Sequence, residues 1–136
     1  MHALVDPRAP VTAALTEAIG VPAVLLDPQG VIQALSPTAP ALVTALAKGK
    51  PLALVMRDPD LIDAIEQVSR HGGRRAVELI ERVPVERTFR IHIAALAGSG
   101  WRRAVLLTFE DLSEQRMTER MRVDFVANAS HELRTP

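Results

Sequence analysis

"RTFRIHIAAL", residues 87 to 96, alternates polar and apolar side chains along most of its length. Successive side chains of a strand point to opposite faces, so Phe89, Ile91 and Ile93 share one face and Arg90 and His92 the other. A strand covered on one side and open on the other is the habit of antiparallel sheets. The same period runs through "AVELIERV", 76 to 83, and "RRAVLLTFED", 102 to 111. Val83-Pro84 and Ala97-Gly98-Ser99-Gly100 part the three runs. Three long antiparallel strands are therefore expected in this half of the chain.

Upstream, "AVLLDPQGVIQALS", 23 to 36, reads as a hairpin around the turn Asp27-Pro28-Gln29-Gly30. Helical spacing appears in three places. "TAALTEAIGVP", 12 to 22, brings Ala14, Leu15, Ala18 and Ile19 together before Gly20 and Pro22 stop it. Ser36-Pro37 reads as an N-cap opening a helix that Pro40 keeps short or irregular and that ends near Ala47. Asp58-Pro59 repeats the entry signal, and Leu61, Ile62, Ile65 and Val68 form a stripe closed by His71-Gly72-Gly73. Two strands, helices and three strands predict an α+β fold, a five-stranded antiparallel sheet with helices on one face.

Composition narrows the function classes. Sixteen basic and sixteen acidic residues cancel, so no global field draws in nucleic acid. Without cysteine there is no disulfide, thiolate metal site or cysteinyl flavin adduct, and a reducing compartment fits. The apolar stretches fall far short of the roughly 20 residues a membrane helix needs. "MHALVDPRAP" lacks the pattern of a secretory signal and reads as part of a flexible lead-in over residues 1–12. The four histidines do not fall at ligand spacing, so no metal site is expected.

The element order over residues 13–111 resembles a PAS domain. "RDPDLIDAIEQV", 57 to 68, and "PVERTFRIHIAAL", 84 to 96, are similar to the PAS domains of phosphate-regulon sensor histidine kinases. Haem would want a placed histidine and flavin a cysteine or aromatic pocket. With one Trp, three Phe and no Tyr, the core is expected to hold no cofactor. An apolar or small-metabolite ligand would suit its composition best.

Beyond Asp111-Leu112-Ser113, which resembles the junction that closes PAS domains before a signalling helix, neither Gly nor Pro interrupts residues 112 to 135. Ser113 can cap this helix and Glu114 suits its N-terminal dipole. At about 100° per residue, Phe125, Val126, Ala129 and Leu133 gather on one side and Arg120, Asp124 and His131 on the other. Met117 and Met121 are expected to fill a dimer seam. A projecting amphipathic helix cannot bury its own stripe, so a parallel homodimer is expected.

The tail "FVANASHELRTP", 125 to 136, resembles the H-box of sensor histidine kinases at every position of that motif. The resemblance implies that His131 is the phospho-acceptor, Glu132 the general base, Thr135 a residue linked to dephosphorylation of the regulator, and Arg134 a phosphate contact. An imidazole titrates near neutrality and supplies a nucleophilic nitrogen at cell pH. Implied partners are a kinase ATP-binding domain and a response regulator receiver domain. Residues 112–136 would then be the signalling helix and the start of a dimerisation and histidine-phosphotransfer domain. No nucleotide-binding loop occurs in the chain, so it reads as a kinase fragment unable to bind ATP or phosphorylate itself. ATP and Mg would belong to the absent catalytic domain. The resemblance places this stretch in the cytoplasm and leaves an inner-membrane anchor of the parent protein open.

Other readings stand beside these. His71 and His92 are read as structural, and "RHGGRR", 70 to 75, as a solvated turn. The competing reading of the whole is a non-catalytic PAS module for dimerisation or ligand sensing, with His131 inert.

Overall fold

The computed structural model describes residues 20–39, 45–82, 86–96 and 102–134. Five strands form a single antiparallel sheet: β1 (Ala23–Leu26), β2 (Ile32–Leu35), β3 (Arg74–Glu81), β4 (Arg87–Ala95) and β5 (Val105–Asp111), in the order β2-β1-β5-β4-β3. β1 lies between β2 and β5, and all four of its residues are buried, which explains why it is continuously apolar. The turn before β2 is held by Asp27, whose Oδ1 accepts from the amides of Gln29 and Val31, both at 2.9 Å. Gly30, at φ 84°, supplies the left-handed residue this turn requires.

In β4 the alternation holds: Phe89, Ile91 and Ile93 are buried, while Arg90 and His92 lie on the outer face. The register places Glu78 of β3 and Glu110 of β5 beside Arg90. The inner face packs Phe89, Ile91, Ile93, Leu107 and Phe109 against Val24 and Leu26. Phe89 and Phe109 meet edge to face, 6.4 Å between centroids.

Among the described residues two α-helices precede β3: α1 (Leu52–Val55) and α2 (Pro59–His71). Asp58 caps α2 as its sequence predicts, Oδ1 accepting from the Leu61 amide at 3.0 Å. Gly72, at φ 76°, ends it by donating to the Val68 carbonyl at 2.8 Å. The buried stripe is Leu61, Ala64 and Val68, with Ile65 half-buried and Ile62 exposed. Ala64, three residues after Leu61 and four before Val68, shares their face, whereas Ile62 lies about 100° around the helix from Leu61.

Elsewhere the structure departs from what the sequence predicts. Ser36 does not cap a helix with its side chain: its buried hydroxyl accepts from the Ala23 amide at 2.7 Å and its own amide donates to the Ala23 carbonyl, while its carbonyl accepts from the Ala39 amide at 3.1 Å. The side chain of a good capping residue is thus committed to the β1 and β2 pairing. Residues 45–50 form turns, so that helix does not reach Ala47; residues 40–44, its middle, lie outside the described residues. The one-turn α1, too short for a periodic signal, has no counterpart in the sequence reading. β5 starts at Val105 rather than at Arg102. The lead-in and most of the helix expected over 12–22 lie outside the described residues.

Two substitutions test this packing. Phe89→Ala should cost about 3–5 kcal/mol, whereas Asp58→Ala should cost about 1 kcal/mol. Urea unfolding should show both as lower midpoints with little change in slope.

Candidate functional site

The last helix, α3 (Ser113–Arg134), leaves the sheet directly from the end of β5. Its root is built by backbone pairing. The Leu112 amide donates to the Thr88 carbonyl at 2.7 Å, and the Thr88 amide donates to the Ser113 hydroxyl at 3.0 Å. The Leu112 side chain is buried. Asp111 Oδ1 accepts from the Ser113 amide at 2.9 Å, which settles the turn from strand into helix.

This changes the role expected of Ser113. The first helical amide, Arg116, donates to the Leu112 carbonyl at 2.9 Å, so Leu112 stands at the cap position and Ser113 is the first helical residue. Its hydroxyl binds strand β4 instead of capping α3. Glu114 does lie in the first turn, where the helix dipole favours it.

Two arginines one turn apart tie α3 to the sheet. Arg116 Nη2 reaches Glu78 Oε1 of β3 at 2.8 Å, and Arg120 Nη1 lies 3.5 Å from Glu86 Oε2, just before β4. Glu78 Oε1 also accepts from Arg90 at 3.1 Å, and Glu110 lies against both His92 (3.1 Å) and Arg90 (3.8 Å). A line of alternating basic and acidic side chains therefore crosses the outer face, His92, Glu110, Arg90, Glu78, Arg116, and ends on the helix. The sequence places Arg90 and His92 on this face but shows none of these pairings, since partners as far as 38 positions apart leave no periodic trace. The outward alternation of β4 was the available signal.

Past its root, α3 has no buried residue. Phe125 is 73% exposed and Leu133 88%, with Met117, Met121, Val123 and Val126 also open. Such apolar exposure is what a partner surface looks like. Val123, seven residues after Arg116, falls about 20° from it around the helix rather than in the stripe. His131, Glu132 and Arg134 are all exposed. His131 and Arg134 are three residues apart, neighbours on one helix face, while Glu132 projects about 100° around from His131. Thr135 lies outside the described residues.

Among the described residues no group of His, Asp and Glu side chains is arranged to hold a metal. No described helix is long and apolar enough to cross a membrane. An apolar groove of about 170 Å³ opens between Leu26, Leu52, Ile62 and Ile65, smaller than the roughly 300 Å³ at which small-molecule sites begin.

Ser113→Ala should remove the acceptor of the Thr88 amide. Hydrogen exchange at Thr88 should speed up, with a stability loss of about 1 kcal/mol that leaves the amides of α2 protected.

No protein-family model matches the chain. Over its whole length it is 30% identical to the phosphate regulon sensor protein PhoR of Pseudomonas aeruginosa, and it spans 29% of that protein. The PAS domain of BvgS from Bordetella pertussis superposes with a TM-score of 0.65 at 16% identity, over 90% of this chain and 99% of that one. The sensor region of a sensor histidine kinase gives a TM-score of 0.58 at 18% identity, over 71% of this chain and 41% of that one.

Proposed function

We propose that this chain, a PAS-fold sensory segment related over its whole length to a phosphate regulon sensor protein, presents His131 for phosphorylation in a two-component sensor histidine kinase. The observation that supports this most is where the H-box lies. His131 stands exposed near the far end of α3, about 27 Å along the axis from Ser113, on a helix whose root is bonded to the sheet.

In this reading an imidazole nitrogen of His131 attacks the γ-phosphorus of ATP held by a separate ATP-binding domain. The bond to the bridging oxygen breaks and ADP leaves. Glu132, beside it in the chain, takes the ring proton as general base. The phosphoryl group then passes from nitrogen to an aspartate carboxylate of a response regulator, and the exposed helix end leaves room for both partners. Arg134, on the face of His131, steadies the phosphoryl oxygens, and Thr135 serves the reverse step on the regulator. ATP and Mg enter with the ATP-binding domain, and the PAS core works without a cofactor.

The exposed stripe of α3 is covered by the same helix of a second copy in a parallel homodimer. Signals reach His131 as a change of helix rotation or register between two states. This stretch works in the cytoplasm.

The test mixes the chain with the ATP-binding domain of a related kinase and labelled ATP. Acid-labile, base-stable label should appear, and His131→Gln should abolish it. A folded, dimeric chain that takes up no label from several such domains would favour the non-catalytic interaction module instead. Replacing Phe125 and Leu133 together by Glu should convert the dimer to monomer in sedimentation while the sheet keeps its urea midpoint.

A further inference from the structure

Glu78 touches both the sheet's outer ladder of basic and acidic side chains and the helix. Its Oε1 accepts from Arg90 at 3.1 Å and from Arg116 at 2.8 Å. One turn further along α3, Arg120 repeats the contact on Glu86, which Arg82 also approaches at 3.5 Å. The β3–β4 hairpin thus holds one face of α3 by two charged contacts in successive turns.

Helical phase says which face that is. At about 100° per residue, His131 falls about 20° around the axis from Arg120 and about 60° from Arg116. Phe125, Val126, Ala129 and Leu133 fall about 120° to 180° around the axis from Arg120 and His131. The same rotation that seats the arginines on the hairpin sets the azimuth of His131 and turns the apolar stripe away from the sheet, towards a second copy.

We infer that Glu78 and Arg116 are positioning residues: their contact, seconded by Arg120 and Glu86, biases the rotation of α3 and so the direction in which His131 is presented. The presentation of His131 rests on the phospho-acceptor reading; the rotational hold on the helix does not. The Arg116–Glu78 pair is about half exposed and Arg120 more so, so solvent and salt weaken both contacts. A contact of that strength shifts an equilibrium about two- to five-fold, enough to bias two helix rotations of similar stability without locking either.

The absence of cysteine from the sequence makes spin labelling clean. Labels at Lys50→Cys and Met121→Cys, or at Lys50→Cys and Val126→Cys, report the distance from the β2 side of the sheet to two faces of α3. Labelled chain is diluted with unlabelled chain so that only distances within one copy are read. Glu78→Gln and Arg116→Gln should each shift or broaden both distances alike, and the double variant should add nothing further. Glu119→Gln, whose partner Arg122 lies on the same helix, should leave them unchanged.

Label uptake at His131 should change about two- to five-fold in Glu78→Gln, with the urea midpoint nearly unmoved. Distances unchanged in Glu78→Gln and Arg116→Gln would overturn the hold itself. Shifted distances with unaltered uptake would overturn its role in presenting His131. If the parent chain takes up no label while the distances still shift, the hold stands and the phospho-acceptor reading falls.

Discussion

The structure depends on how β5 turns into α3. Leu112 is buried, pairs with the Thr88 carbonyl through its amide, and offers its own carbonyl to the first helical turn. One residue therefore belongs to the sheet and the helix at once. Because Thr88 also donates to Ser113, a tilt or rotation of the helix at its root is felt by its bonds to β4. A shift of β4 against its neighbours is in this way a shift of the helix.

Beyond that root the balance of forces reverses. The sheet is held by a continuous apolar core, with Phe89, Ile91 and Leu107 almost inaccessible, whereas α3 buries nothing of its own. Isolated helices draw most of their stability from packing of an amphipathic face. A stiff domain therefore ends in a helix whose geometry is set by weak charged contacts near the root and by whatever covers Phe125 and Leu133. A rigid input joined to a lightly held output is what a two-state relay requires.

Much of this was legible in the chain. The alternation of β4, the Asp27 to Gly30 turn and the Asp58 cap are local signals, and each appears in the structure. Two capping expectations failed for one reason. Ser36 and Ser113 both have hydroxyls that serve strands rather than helix ends, and a sequence shows the donor and acceptor types without showing which partner is near. The links of Arg116 to Glu78 and Arg120 to Glu86 were illegible because they join segments far apart in the chain. At the tail, the H-box could be read as a motif, yet its azimuth relative to the sheet became visible only when the root was placed.

The central claim is that the rotation of α3 relative to the sheet governs His131. Inserting alanines after Arg122 tests it, because Phe125, Val126, Leu133 and His131 then move as one body while the root stays fixed. One added residue turns that body by about 100°, and seven return it to within about 20°. Phosphate uptake at His131, measured with an added ATP-binding domain, should change strongly with one alanine and return towards the parent rate with seven. Equal rates for the two insertions would contradict the account.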